Sequence, residues 1–319
     1  MHSNTYHPPV LLRNGHLQTI FPSLFRKIPD ISYTRERIDT PDGDFLDLDW
    51  SCVGGRTLAI LSHGLEGNTH RPYILGMVRA LNSIKVDGLA WNHRGCSGEP
   101  NRLLRMYHNG VTDDLHHVIA HAVSVGTYEA IVLVGFSMGA NLSLLYLGRC
   151  AGDVPENVRC VVMFSAPCDL SDAAAALAKP ANALYMKNFL KSLHLKIRAK
   201  QHRYPDALND AHYHRIRTFE QFDDRYTAPI HGFADARDYW TKCSSRPWLE
   251  HIRMPTLIVN AQDDPFLAGG CYPVNECRGN PHVTLEIMRY GGHVGFVNFN
   301  HEGRYWSEMR ALAFIRKWI

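Results

Sequence analysis

The sequence lacks a strong excess of charge of either sign. Its 319 residues include 34 lysines and arginines and 31 acidic residues, which leaves a net charge of +3 at pH 7. A charge this small on a chain of this length gives no reason to expect a nucleic acid or an anionic membrane as a partner. We therefore predict a small-molecule partner, and the oligomeric state is left open.

Metal and cofactor motifs are missing as well. The eight cysteines form no CxxC pair, and their spacing fits no zinc or haem pattern, which predicts reduced and mostly buried thiols. Asp113, His117 and His121 have helical spacing, and we interpret them as a solvent-facing polar stripe. There is no GxGxxG and no Walker A sequence. We predict neither a metal site nor a cofactor.

No segment has the pattern of a secretion signal or a membrane span. The N-terminus lacks a charged stretch followed by an apolar one. Residues 131–148 are uncharged, but glycines, serines and an asparagine at their centre fit a strand-to-helix turn better than a span. We therefore expect a cytoplasmic protein with no stable membrane anchor.

The order of strand-like and helical segments indicates an α/β fold. Residues 31–38 and 45–50 flank a Pro-Asp-Gly-Asp turn, which predicts an antiparallel hairpin. Apolar strand-like runs then alternate with helical segments, and a last helix is expected at 304–318. This alternation predicts a mostly parallel sheet with helices on both faces. The strand-like runs are 57–62, 86–91, 130–135, 158–164, 256–260 and 284–289.

The alternation is interrupted between Cys168 and Met254 by a helical stretch rich in alanine, lysine, histidine and aromatic residues. We predict that residues 168–250 form a helical cap inserted into a core domain of residues 1–167 and 251–319. Four cap aromatics either line an apolar acyl pocket or form the core of the cap, and the sequence leaves both possibilities open. They are Tyr185, Phe189, Phe222 and Tyr226.

The strongest chemical signal is the GxSxG sequence Gly135-Phe-Ser-Met-Gly139. It lies between a predicted strand and a predicted helix, as a nucleophile on a tight turn requires. Small residues two positions away on each side let the backbones approach, and the turn exposes the serine hydroxyl. We predict Ser137 as the catalytic nucleophile.

A serine hydroxyl needs a base, and in this arrangement the chain order is serine, acid, histidine. His293, in Gly-Gly-His-Val-Gly, follows the last predicted strand and is the predicted base. Asp263 and Asp264 both follow the preceding strand, and neighbouring loop residues usually point apart. Position favours Asp264 as the acid, and Asp263 remains the alternative.

Two backbone N–H groups are expected to form the oxyanion hole. One belongs to Met138, directly after the nucleophile. The other belongs to Leu65, in the His63-Gly-Leu-Glu-Gly loop after the strand at 57–62. Together with the triad, these amides predict a serine hydrolase.

Several segments together resemble the YheT-like branch of the α/β-hydrolases, a group of esterases. They span nearly the whole chain: Asn14-Gly-His-Leu-Gln-Thr, His63-Gly-Leu-Glu-Gly, Asn92-His-Arg-Gly-Cys-Ser-Gly, Gly135-Phe-Ser-Met-Gly-Ala-Asn, Phe222-Asp-Asp-Arg-Tyr-Thr-Ala-Pro, Asp263-Asp-Pro-Phe and Gly292-His-Val-Gly-Phe. The resemblance implies an α/β-hydrolase fold, a charge relay carried onto Ser137, Asp264 and His293, and carboxylic-ester hydrolysis.

The expected reaction is cleavage of a small-molecule ester with an apolar acyl group through an acyl-enzyme. A thioesterase and a lipase or phospholipase remain alternatives, because the same triad serves all of them. A binding protein that keeps the triad without turnover remains a further alternative.

Overall fold

A computed structural model describes residues 6–319, and over this range eight strands form one sheet in the order β1-β2-β4-β3-β5-β6-β7-β8. The pairs β1–β2 and β2–β4 are antiparallel, and every later pair is parallel. The strands are β1 (Thr34–Asp39), β2 (Phe45–Ser51), β3 (Thr57–Ser62), β4 (Val86–Asn92), β5 (Ala130–Phe136), β6 (Val158–Phe164), β7 (Thr256–Ala261) and β8 (Val283–Met288).

The helices are α1 (Gly15–Phe25), α2 (Pro72–Asn82), α3 (Thr112–Ser124), α4 (Met138–Arg149), α5 (Leu170–Leu177), α6 (Ala183–Gln201), α7 (Phe219–Phe222), α8 (Ala228–His231), α9 (Ala236–Cys243), α10 (Val274–Arg278) and α11 (Trp306–Ile315). A π-helical turn at Asp223–Thr227 joins α7 to α8.

Alternate residues of the central strands face two separate apolar cores, as the period of two in a strand requires. On one face, Ile60 of β3 and Leu133 of β5 pack with α3 and α4. On the other, Leu61 and Val134 pack with α2 and α11. Because both faces are covered, the strands are apolar on both sides. The predicted α/β-hydrolase fold, with a mostly parallel sheet, an N-terminal antiparallel hairpin and helices around it, is confirmed.

The sequence interpretation predicts no regular element before the hairpin at 31–50. Helix α1 lies there, capped by the side chain of Asn14, which accepts the Leu17 N–H. The pattern of apolar residues does not predict this helix, because its buried face consists of Gly15, Gln18 and Pro22 and its exposed face is apolar. The last helix is shorter than expected and starts at a capping box formed by Tyr305 and Glu308.

Helices α5 to α9 fall between β6 and β7, where the helical insertion is expected. The division into a core of residues 1–167 and 251–319 and a cap of residues 168–250 stays a prediction. All eight cysteines are free thiols, and each of the six buried ones packs in one of the apolar clusters.

Candidate active site

Ser137 occupies a strained turn between β5 and α4. Its φ of 54° lies in the left-handed region, which a residue with a Cβ adopts only when its surroundings force it to. A Cβ at Gly139 would lie 2.5 Å from the Ser62 carbonyl oxygen, and one at Gly135 would lie 2.8 Å from the Ala140 Cα. Glycine at both positions therefore allows the close approach that the turn needs.

The structure brings Ser137, His293 and Asp264 together from the ends of β5, β8 and β7. The serine Oγ lies 2.8 Å from His293 Nε2, and the imidazole Nδ1 lies 2.9 Å from Asp264 Oδ2. The Asp264 side chain is fully buried, and its other oxygen accepts the Phe266 N–H at 2.8 Å. This arrangement forms one continuous chain of hydrogen bonds from a carboxylate to a hydroxyl.

The neighbouring carboxylate has another position. Asp263 does not contact the imidazole; its Oδ1 accepts the Gly292 N–H at 2.9 Å, directly before His293. Burial raises the pKa of this carboxyl. A Cβ at Gly15 would lie 1.8 Å from the Asp263 carbonyl oxygen, so helix α1 also approaches this loop closely. Asp263 thus supports the loop that carries the histidine.

Two hydroxyl groups that the sequence interpretation missed hold the backbone of the histidine loop. Thr19 Oγ1 of α1 accepts the His293 N–H at 2.8 Å and donates to the Gly15 carbonyl at 2.7 Å. Ser165 Oγ, after β6, accepts the Val294 N–H at 2.9 Å. Thr19 belongs to the Asn14–Thr19 motif of the family resemblance, which could have marked it as functional, but nothing in the spacing of this motif indicates a contact with His293.

The Met138 N–H follows Ser137 directly, and the Leu65 N–H belongs to a loop that packs against this serine. Met138 is the first residue of α4, so its N–H is at the positive end of the helix dipole. A Cβ at Gly64 would lie 3.1 Å from Ser137 Cβ, which places the Leu65 loop against the serine. Within residues 6–319, neither amide hydrogen is bonded to another protein group. Both are therefore available to an oxyanion.

The residue after Leu65 connects this loop to a distant helix. The Glu66 N–H donates to the Tyr107 hydroxyl at 3.0 Å, and that hydroxyl donates back to the Glu66 carboxylate. Lys196 of α6 contacts the same carboxylate at 3.0 Å and the Cys96 thiol at 2.9 Å. Glu66 has a φ of 53°, so these contacts hold a backbone conformation that a glutamate rarely adopts.

Two buried histidines fix the loops after β3 and β4. His93 donates through Nε2 to the His63 carbonyl at 3.0 Å, and the His93 N–H donates to His63 Nε2 at 3.2 Å. Burial lowers the pKa of His63 and brings the pKa of His93 down to about 3, so both rings are neutral. They serve the structure of the loop that carries Leu65.

Comparison with known proteins shows the family of this chain. A sequence profile described as the alpha/beta hydrolase fold matches residues 60–299. The Escherichia coli protein YheT, whose name marks it as a candidate esterase, is 37% identical over 290 residues, which cover 89% of this chain and 84% of YheT.

The chain belongs to the α/β-hydrolase family. The predicted resemblance to its YheT-like branch is confirmed. The human phospholipase ABHD3 is 30% identical over 92% of this chain and 74% of its own. The Saccharomyces cerevisiae monoacylglycerol lipase is 26% identical over 96% of this chain and 79% of its own. A solved esterase of Pyrococcus furiosus matches the fold with a TM-score of 0.62 and 17% identity, over 100% of this chain and 99% of its own.

A cleft with about 980 Å³ of empty space opens at Ser137 and His293 of this hydrolase. Most of its walls are apolar side chains from the segment between β6 and β7. Of the four aromatics considered from the sequence, three line the cleft: Phe189, Phe222 and Tyr226. Tyr185 does not; its hydroxyl lies 3.2 Å from His16 Nδ1 and its ring packs against Phe266.

The polar stripe on α3 does not converge on one point. Asp113 pairs with Arg105 at 2.6 Å, His117 contacts the Asp39 carbonyl, and His121 contacts Glu36. In the part of the chain that the structure describes, no group of three or more histidine, cysteine or acidic side chains is arranged to hold a metal ion. The described residues also include no helix with the length and apolarity to cross a membrane.

Proposed function

We propose that this α/β-hydrolase cleaves carboxylic esters, with Ser137 as nucleophile, His293 as general base and Asp264 as the acid that orients the histidine. The observation that carries the proposal is the hydrogen-bond chain from Asp264 through His293 to Ser137, which ends at an apolar cleft. Nucleophile, base and orienting acid lie within the distances that acyl transfer requires.

In the proposed reaction, His293 Nε2 takes the proton of the Ser137 hydroxyl as Oγ attacks the ester carbonyl. The buried Asp264 carboxylate keeps the Nδ1 hydrogen in place and stabilises the imidazolium that forms. The protonated histidine then gives its proton to the leaving alcohol, which produces an acyl-enzyme. Water, deprotonated by His293, releases the acid and restores the serine.

The Leu65 and Met138 N–H groups donate hydrogen bonds to the carbonyl oxygen as its negative charge develops. Neither hydrogen has a protein partner within residues 6–319, and both amides belong to segments next to the serine, so both are free to bind the oxyanion. Loss of one such donor typically lowers the rate by about 10²–10³-fold. The Leu65 amide depends on a loop conformation, whereas the Met138 amide is fixed by α4.

The substrate is an ester with an apolar acyl group. Phe189, Phe222 and Tyr226 line the cleft together with Leu170 and Leu177, and burial of an acyl chain against them drives binding. We propose that residues 168–250, which supply these walls, act as a cap over the core. The relatives named phospholipase and monoacylglycerol lipase favour a lipid ester as the second candidate.

Turnover of short p-nitrophenyl esters by Ser137→Ala tests the nucleophile. We expect activity to disappear in this variant, together with covalent labelling by a fluorophosphonate probe. Ser143→Ala is the matched control, because Ser143 lies in α4, the helix that follows Ser137, and donates to the Gly139 carbonyl without contacting His293. Equal turnover by wild type and Ser137→Ala would contradict the proposal.

An acyl-chain-length series then separates the candidate substrates. A soluble-ester hydrolase is expected to prefer short chains, and a lipase or phospholipase to prefer longer glycerol esters. Matched oxygen esters and thioesters of one acyl group test the thioesterase alternative. A wild-type protein that neither labels nor turns over any of these esters would instead be a binding protein on a hydrolase scaffold.

A further inference from the structure

Helix α1 has the reverse of the usual surface-helix pattern. Its polar side chains are used internally: Asn14 caps the helix, Gln18 is fully buried and Thr19 binds the histidine loop. Its exposed positions are mostly apolar, with Leu24 65% and Phe25 67% accessible. A surface helix normally shows its charged face to water, so this exposed apolar face calls for a partner.

The exposed side chains form one continuous strip, which we call the N-terminal apolar patch. Leu17, Ile20 and Leu24 follow each other at helical spacing on one side of α1. The ring of Phe21 connects Phe25, 5.1 Å away between centroids, to Phe299, 5.9 Å away. The preceding turn adds Val10 and Leu11, both strongly exposed. The patch is thus larger than the isolated exposed apolar residues that any soluble surface carries.

The charged residues on and directly beside α1 in the sequence are basic. The first acidic residue in the sequence is Asp30, whereas Arg13, Arg26 and Lys27 precede it. Arg26 is paired with Glu308 at 2.6 Å. Arg13 and Lys27 are exposed and have no salt bridge within residues 6–319. The small net charge of the whole chain therefore conceals a local excess of positive charge beside α1.

We propose that the N-terminal apolar patch docks on the surface of an anionic lipid bilayer. Apolar side chains on one helix face enter the boundary between headgroups and acyl chains, and flanking cations attract anionic headgroups. A second copy fits less well, because a two-fold dimer would bring the same patch, with Arg13 and Lys27 beside it, against itself. Docking requires no membrane span and differs from a stable anchor.

The location gives this surface a consequence for the enzyme. Thr19, on the other side of the same helix, accepts the His293 N–H, and His16 contacts Tyr185. Docking through α1 therefore places the active-site loop close to the lipid. The binding step itself needs no hydrolysis, so its test is independent of the proposed ester chemistry.

Vesicle sedimentation tests the proposal, with phosphatidylcholine vesicles prepared with and without phosphatidylglycerol. We expect wild-type protein to bind, more tightly with the anionic lipid and less tightly at high salt. Leu24→Ser/Phe25→Ser should weaken binding by at least about tenfold, since both side chains supply apolar area at the interface. Turnover of a water-soluble ester reports whether the variant is folded, because neither residue belongs to the catalytic machinery.

The matched control is Val123→Ser/Val125→Ser, which changes two exposed apolar residues at the end of α3. They precede β5, whereas Ser137 follows it, so they lie at the opposite edge of the sheet. Absence of wild-type binding to anionic vesicles would overturn the proposal. An equal loss of vesicle binding in both double variants would also overturn it. A dimer that Leu24→Ser/Phe25→Ser dissociates, in a protein that binds no vesicles, would overturn it as well.

Discussion

Replacement of Lys196 by methionine should lower kcat while leaving the triad intact. Lys196 belongs to α6, distant in sequence from the Leu65 loop, yet its Nζ contacts Glu66 Oε1 at 3.0 Å and lies 4.6 Å from the centre of the Tyr107 ring. Methionine keeps the apolar stem and removes the charge. Glu66 then loses the cation that balances its carboxylate, next to the residue whose amide is the proposed oxyanion donor.

The expected size follows from burial. Removal of one partner from a fully buried ion pair costs about 3–5 kcal/mol. The Lys196 side chain is 20% exposed and that of Glu66 9%, so water recovers part of this cost, and we take about 2 kcal/mol. If all of it falls on the transition state, kcat falls about 30-fold, and we expect a loss between about 5-fold and 30-fold.

Two measurements separate positioning of the oxyanion hole from general damage. A soluble ester gives kcat and KM, and KM should change little because the cleft walls are untouched. A trifluoromethyl ketone forms an oxyanion on the serine, so its inhibition constant should rise in parallel with the loss in kcat. Glu66→Gln should give a similar loss, and combination with Lys196→Met should add little to it.

Lys191→Met is the matched control, since Lys191 lies exposed on the same helix. Its kcat and thermal stability should equal those of wild type. The reasoning would be refuted if Lys196→Met kept the wild-type kcat and inhibitor affinity, or if its only effect were a higher KM.

Two further changes have outcomes that the contacts determine. Thr19→Val leaves the His293 N–H without an acceptor, which costs about 1–3 kcal/mol of stability, and kcat should fall about tenfold. Thr19→Ser keeps the hydroxyl and should therefore keep the wild-type kcat. Equal behaviour of the two variants in ester turnover and thermal unfolding would contradict this role. Asp223 accepts from Thr227 and Trp240, and burial raises its pKa from 3.8 to about 7. Because the folded protein keeps this proton longer than the unfolded chain, stability should fall as the pH rises from about 4 to about 7. Asp223→Asn should remove that part of the slope in melting temperature against pH, and an unchanged slope would show that Asp223 is not its source.

The sequence predicts most accurately the features that depend on local patterns. The nucleophile turn needs only a strand, a serine between two glycines and a helix, so Ser137 and the Met138 amide follow from one stretch of chain. The same applies to the parallel part of the sheet, because its strands are mostly apolar runs with their own turn signals. The predicted fold is confirmed for this reason, with helix α1 as the element that was missed.

The parts that could not be predicted are contacts between distant segments. Position favours Asp264 over Asp263 as the acid, but only the fold shows which of the two contacts His293. Thr19 ends one motif of the family resemblance and Lys196 lies in none of them, and neither a threonine nor a lysine in a helix indicates a contact with a distant loop. Their roles appear only when tertiary packing brings them to the two loops beside the serine.

Helix α1 links the two proposals at one point of the molecule. Its inner face supplies the Thr19 hydroxyl to His293, and its outer face is the N-terminal apolar patch. The close approach of Gly15 to the Asp263 carbonyl leaves little room for α1 to move without moving the loop that carries both aspartates. A helix that leaned away from the core to enter lipid would therefore disturb the histidine, so docking should occur with α1 in its present position. The outer side chains alone then enter the bilayer. Their removal should leave hydrolysis of a soluble ester unchanged and should slow hydrolysis of a vesicle-bound ester.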